Sequence, residues 1–241
     1  GIHAAYLDGI GHRAGLRTIV IDDLAERDLP VDLIVNPNHA PPRERYARAN
    51  ELRLGLRYAL LRKEFAQARE TVRPVGASVE SILVTLGATD PHNLTPTVLE
   101  GLSALPFAGE VVVVIGDENQ HRAELEGAVS LLPKARLAVG LRDMAAAMAA
   151  VDLVVTAAST TTLEAMCLGR PTLALITADN QRRGAAALAR DKAIWLLDAA
   201  LDSAAITGAL RELIADAERR IDMSRTARAL VDGRGPARAA A

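Results

Sequence analysis

The chain is poor in the residues that anchor large cores and in those that hold metals. Its 241 residues include one Trp, three Tyr and two Phe, and a single cysteine, Cys167. One cysteine excludes an intrachain disulfide and fits a reducing cytoplasm. Five histidines are scattered without metal-ligand spacing, so no metal site is expected. Charge of one sign is also missing: 28 Lys and Arg face 30 Asp and Glu, a net −2. That balance excludes a nucleic-acid-binding or membrane-binding surface as the organising feature. The longest apolar runs, such as VVVVIG, are far too short to span a bilayer. What remains is a half-apolar chain built on Ala, Leu and Val, long enough for one large domain or two modest ones.

Another residue arrives late. The chain begins at Gly1 and its first methionine is Met144. This reads as a fragment, a processed product or a sequence with its start missing.

From Val79 onward, short apolar strands alternate with helical stretches. SILVTLGA (81–88), EVVVVIG (110–116), ARLAVG, DLVVTAA, TLALITA and AIWLL read as strands. Between them NLTPTVLEGLSAL, HRAELEGAVSLL, DMAAAMAA, STTTLEAMCLG and NQRRGAAALARDK read as helices, the fourth ended by Gly169 and Pro171. This alternation predicts βαβ units and a parallel sheet with helices on both faces. A final helix is expected to bury one stripe of Ile206, Leu210, Leu213, Ile214, Ala217 and Ile221. Before Val79, LRTIVIDDLA (16–25) and VDLIVNPN (31–38) read as two buried strands, and RLGLRYALLRKEF as a loop running into a helix. Two strands cannot make an independent α/β domain. The expected organisation is therefore the trailing part of an incomplete α/β domain (1–73), a linker (74–79), a Rossmann-like nucleotide-binding domain (80–230) and a loose tail (231–241).

Ligands of open parallel sheets sit at the carboxyl ends of strands, near helix N-termini. Three polar turns fall there: LGATDPHN (86–93), TAASTTTLE (156–164) and TADNQRR (177–183). Hydroxyls and bare amides at a helix N-terminus suit phosphate. Ser and Thr are equally good N-caps, so each turn alone has a plain structural reading. Together they are expected to converge on one cleft. Other residues carry weaker signals. Cys167 reads as a small core residue, and His92 as a solvated loop residue. The neighbours Asp22 and Asp23 point to opposite faces of a strand and read as a strand-end cap. Arg182 and Arg183 fit either a diphosphate or an exposed helix face. His3, His39 and His121 carry no signal.

Four segments in fixed order carry a family resemblance: VIDDLAERDLPVDLIVNPN, LGLRYALLRKEF, LVTLGATDPHNLT and STTTLEAMCLGRPTLALITADNQ. Over nearly the whole chain this resembles the UDP-sugar hydrolases of pseudaminic-acid biosynthesis, which release UDP from a UDP-linked diacetamido-trideoxy-altrose. The most specific part is Gly-x-x-Tyr-Ala-Leu-Leu-Arg-x-x-Phe, Gly55 to Phe65. The resemblance implies a two-domain GT-B-like fold, similar to the peptidoglycan UDP-GlcNAc transferase, with the nucleotide held mainly by the C-terminal domain. It implies that Ser159, Thr160 and Thr161 meet the UDP diphosphate and that Glu164 grips the ribose hydroxyls. Asn180 and Gln181 would face the sugar, and Gly87, Thr89 and Asp90 would lie in a loop near phosphates and sugar. Tyr58 and Arg62 belong to the junction signature, as substrate contacts or as packing. The partner implied is a small-molecule UDP-sugar; no cofactor is implied.

The chain departs from the family pattern in two ways. Gly-Gly pairs are replaced by Ala157-Ala158 and Gly87-Ala88; alanine suits positive φ and close backbone approach poorly, so either the turn keeps a negative φ and survives or the nucleotide site is weakened. The family's general base is a histidine in a Gly-x-Gly-His-x-x-Arg loop. Gly9-Ile10-Gly11-His12 imitates it, but Gly15 stands where arginine belongs and VIDDLA follows at once. The base is expected upstream of this chain. Two alternatives stay open: a GT-B glycosyltransferase with a sugar acceptor, and a non-catalytic truncated homologue.

Overall fold

A computed structural model describes residues 16–198 and 201–241. The chain divides into two compact units, one holding the residues up to Leu61 together with Val231–Ala241, the other Arg62–Leu230.

The first unit contains a three-stranded parallel sheet: β1 (Ile19–Ile21), β2 (Leu33–Asn36) and β3 (Glu51–Leu54), in that order. β2, Leu-Ile-Val-Asn, is buried along its length, and Ile34 and Tyr46 centre a small cluster with Ala25, Leu29 and Val31. β3 differs from the expected loop. Glu51-Leu52-Arg53-Leu54 alternates charged and apolar residues over only four positions, a signal too short to separate from a turn. Pairing with β2, from Leu33 opposite Glu51 to Asn36 opposite Leu54, makes it a strand.

The tail is not loose. Gly235–Ala240 forms a helix, and a Cβ on Gly235 would lie 2.1 Å from the Ala59 carbonyl oxygen, so only glycine fits there. Arg53 donates to the carbonyls of Arg238 (2.9 Å) and Ala239 (2.8 Å), capping the helix C-terminus. Arg238 in turn donates to Asp232 and to the Arg57 carbonyl, and its guanidinium holds the Asp232 carboxyl at about 2. These contacts are polar and backbone-based, so no hydrophobic period announces them.

The second unit is a six-stranded parallel sheet of β4 (Ser81–Thr85), β5 (Glu110–Ile115), β6 (Ala135–Val139), β7 (Leu153–Ala157), β8 (Thr172–Leu175) and β9 (Trp195–Leu197). Its order is β6-β5-β4-β7-β8-β9. The chain thus works outward from β4 on one side, returns, and works outward from β7 on the other, the doubly wound arrangement. Helices pack in two groups. Thr95–Ser103 contacts Arg122–Ser130 and Ser203–Ala215, while Lys63–Thr71, Met144–Ala150 and Ala217–Leu230 gather on Thr160–Leu168. β7 and β8 are buried at every position, as strands covered on both faces must be. None of the helices among the described residues is long and apolar enough to cross a membrane.

Three boundaries differ from expectation. Lys63–Thr71 belongs to the second unit rather than to the N-terminal part, because it packs on the Thr160–Leu168 helix. The stretch expected as a linker is held by Arg220, which donates to the carbonyls of Gly76 (3.3 Å) and Ala77 (2.7 Å). The C-terminal stripe breaks at Asp216. Ile206, Leu210 and Leu213 are buried, but the break shifts the register so that Arg220 and Met223 turn inward and Ile221 is exposed.

The N-terminal ends of β4 and β7 meet on one side chain. Asp152 Oδ2 accepts from the Glu80 amide (2.9 Å), the Ser81 amide (3.0 Å) and the Ser81 hydroxyl (2.9 Å), and Oδ1 pairs with Arg73 at 2.7 Å. Replacing Asp152 with alanine orphans two amides in a nearly dry setting. The Asp152→Ala variant is expected to lose about 2–4 kcal/mol of unfolding free energy, read as a lower urea midpoint with an unchanged slope.

Candidate functional site

β4 and β7 are neighbours, Thr85 opposite Thr156, yet the chain leaves them toward opposite sides of the sheet. A crevice opens at the carboxyl ends of such a pair. β8 lies on the far side of β7, Leu175 opposite Ala157. The three polar turns therefore leave three adjacent strands at one edge of one sheet.

The β7 turn is short and well bonded. Ala158 donates its amide to the Leu175 carbonyl (2.8 Å), and the Ala157 carbonyl accepts from the Ser159 amide (2.7 Å). Neither alanine has a positive φ, so the turn does not call on glycine's freedom. Ser159 is the N-cap of the Thr160–Leu168 helix, its hydroxyl accepting from the Thr161 amide at 3.3 Å. The four hydroxyls separate by role. Ser159 and Thr160 are exposed at the positive end of the helix and Thr161 is half-buried. Thr162 turns inward and donates to the Ala157 carbonyl at 2.9 Å. Beneath them, the Thr156 hydroxyl is buried without a hydrogen-bond partner.

Glu164 sits one turn into that helix, with 13% of its side chain exposed. Its Oε1 accepts from Arg62 Nη2 at 3.3 Å. Burial pushes the carboxyl above the usual glutamate range, and the Arg62 charge opposes it. The Arg62 guanidinium also lies 5.2 Å from the Phe65 ring centre. Arg62, left open between contact and packing in the sequence, is thus a charge partner of Glu164. Tyr58 lies in the other unit, with Arg57 over its ring.

The β4 turn keeps glycine where it is needed. Gly87 has φ +99°, with open space where a Cβ would stand, whereas Ala88 has no positive φ. The Ala88 carbonyl accepts from the Gly116 amide (2.9 Å) and from Asn119 Nδ2 (3.2 Å), so Asn119, which the sequence did not single out, shapes this turn. Its signal is a buried Asn in Gly-Asp-Glu-Asn, whose side chain also accepts from the His121 amide. Thr89 is exposed. Asp90 is 2% exposed, and its carboxylate accepts from the amides of Leu94 and Thr95 and from the Thr95 hydroxyl at 2.7 Å. Its groups face the Thr95–Ser103 helix.

At the β8 turn, Gln181 folds back on its own loop, Oε1 accepting from the Thr177 amide at 2.8 Å. Asn180 is exposed. Arg182 is engaged by Asp179 (3.2 Å) and by Asp198. Among the described residues no group of three or more His, Cys, Asp or Glu gathers as metal ligands would. His3, the Gly9-Ile10-Gly11-His12 motif and Gly15 lie outside the described residues.

The profile of the glycosyltransferase family 28 C-terminal domain matches residues 81–233, well over half of the chain. The chain belongs to that family. It is 26% identical over 211 residues to the Bacillus subtilis spore coat polysaccharide biosynthesis protein SpsG, covering 85% of this chain and 62% of that protein. It spans less than two thirds of the length of the curated relatives it matches. Among solved structures, Acinetobacter baumannii MurG superposes with a TM-score of 0.63 at 18% identity, covering 87% of this chain and 64% of that one. Anabaena HepE, solved in complex with UDP-glucose, gives 0.57 at 16%, covering 87% and 63%. The fold is GT-B-like, an α/β architecture of parallel sheets.

Within this family 28 domain, capping separates Asp90 from the exposed hydroxyls. Asp90→Ala is expected to lower stability by about 1–3 kcal/mol through the lost cap and the orphaned amides. Thr89→Ala, at an exposed neighbour, is expected to stay within about 0.5 kcal/mol of wild type, measured by the same denaturant titration.

Proposed function

We propose that this chain carries the UDP-binding part of an enzyme that cleaves a UDP-sugar at its anomeric carbon. The observation that supports this most is the pairing, at the switch point of a doubly wound sheet, of an exposed hydroxyl-bearing helix N-terminus with the recessed carboxylate of Glu164. In this reading the diphosphate meets the Ser159 and Thr160 hydroxyls and the first-turn amides. Glu164 accepts hydrogen bonds from the two ribose hydroxyls. Gly87, Thr89 and the exposed Asn180 border the sugar, with Asp90 and Gln181 holding the shape of their loops.

The reaction follows from the resemblance to the pseudaminic-acid hydrolases. Water attacks the anomeric carbon, the bond from that carbon to the diphosphate oxygen breaks, and its electron pair leaves with UDP. The proton released from water passes to a general base outside the residues assigned here. Fixing the diphosphate at a helix N-terminus stabilises the charge that grows on the leaving group. A second reading replaces water by an acceptor hydroxyl. Membership of a glycosyltransferase family and the likeness to a polysaccharide biosynthesis protein favour it.

Calorimetric titration with UDP tests the shared part of both readings. Micromolar binding is expected, weakened at least about tenfold in Glu164→Ala, since hydrogen bonds to a charged group contribute about 1.5–3 kcal/mol. The ribose hydroxyls bond to the ionised form, so affinity is full at neutral pH and is lost as pH falls through the raised carboxyl value of Glu164. The loss is therefore expected above the ordinary glutamate range, and it disappears in Glu164→Ala. No heat up to millimolar UDP would sink the proposal. With binding established, UDP release from a UDP-sugar in water alone, against release only with an added acceptor, separates hydrolysis from transfer.

A further inference from the structure

Arg62 and Glu164 are 102 residues apart in sequence, and their meeting depends on the packing of two helices. The Lys63–Thr71 helix lies on Thr160–Leu168 and holds it at two points. Arg62, the N-cap residue, reaches Glu164 at its middle, and Arg69, two turns on, donates to the Cys167 carbonyl (2.6 Å) near its end. Phe65, fully buried between them, backs the Arg62 guanidinium. The contact with Glu164 is through Oε1. Among the described residues no hydrogen bond reaches Oε2.

We propose that Arg62 is a positioning residue of the nucleotide site: it fixes the Glu164 carboxylate through Oε1 and so presents Oε2 to the ribose diol of a nucleoside diphosphate. The inference rests on the nucleotide-sugar reading above. A free glutamate on a helix samples several rotamers, and a diol needs one of them. The guanidinium, stacked on a buried ring, removes that freedom before the ligand arrives. It also supplies the charge that opposes the effect of burial on that carboxylate. The other elements packed on the Thr160–Leu168 helix supply little there. Met144–Ala150 and Thr172–Leu175 carry no charged residue. Leu153–Ala157 carries none either, with Asp152 at its far end joined to Arg73. Arg69, and Arg228 of the last long helix, are engaged at the Cys167 and Leu168 carbonyls. Lys63 and Glu64 follow Arg62 on its own helix, and Arg62 is the charge that acts on Glu164.

The test is titration of the whole chain with UDP and with 2′-deoxy-UDP between pH 5 and 8, for wild type, Arg62→Met, Arg62→Lys and Glu164→Gln. In Arg62→Met burial acts on Glu164 unopposed, so the acid limb of UDP affinity is expected to move to higher pH. The preference for UDP over its 2′-deoxy analogue should shrink at the same time. Arg62→Lys should restore the acid limb through its charge but not the full preference, because a point charge does not orient a carboxylate as a planar guanidinium does. Equal weakening of both ligands with an unchanged pH profile would overturn the proposal in favour of a phosphate contact or simple packing, and no change would overturn it outright. Should wild type fail to bind UDP, or Glu164→Gln leave the ribose preference intact, the nucleotide reading itself falls.

Discussion

The second unit depends on the bond between β4 and β7, because two of the three polar turns hang from the other end of that pair. Asp152 makes the bond at the N-terminal edge, receiving two amides and a hydroxyl from Glu80 and Ser81 and one guanidinium from Arg73. A buried carboxylate is tolerated only when its lone pairs are taken, and here they are. From that anchor the two strands run side by side, Ile82 opposite Leu153 through Thr85 opposite Thr156. Their carboxyl ends are then released to opposite sides. One edge is closed by charge-assisted hydrogen bonds; the other is left open by topology.

Around the closed edge the chain uses arginine in place of aromatic bulk. Arg170 and Arg220 are among the largest fully buried side chains, and each donates to main-chain carbonyls, Arg170 to Val151 and Arg73, Arg220 to Leu213, Ile214, Gly76 and Ala77. Burial pulls the Arg170 guanidinium down to about 10, still charged at neutral pH. Long guanidinium side chains thus tie strand and helix ends together, a task that carbonyls exposed at the ends of a parallel sheet require. The same device recurs where Arg53 caps the last helix and where Arg62 and Arg69 hold the Thr160–Leu168 helix.

The site shows how local chemistry divides between binding and support. Of the residues read as ligand contacts, Ser159, Thr160, Thr89 and Asn180 keep exposed side chains, whereas Asp90 and Gln181 direct theirs into their own turns. Cap and ligand donor are the same residue types at the same place on a helix, so the sequence alone cannot separate them. The alanine replacements were legible as departures but not in their effect. Ala157, Ala158 and Ala88 have no positive φ, and of these four Gly-Gly positions the one with a left-handed backbone, Gly87, is still glycine.

By itself the sequence determined the six strands after Val79, their alternation with helices and the placing of three polar turns at strand ends. Apolar runs of about five residues between amphipathic segments leave few other arrangements. It did not determine β3, the helical tail, the break at Asp216 or the membership of Lys63–Thr71. Those rest on pairing, on close backbone approach and on arginine-to-carbonyl bonds, none of which has a period along the chain. Only the tertiary structure decided that Asp152 meets Ser81 and that Arg62 meets Glu164. Each contact joins residues some 70 to 100 positions apart through strand order and helix packing, and no local pattern encodes a distance of that kind.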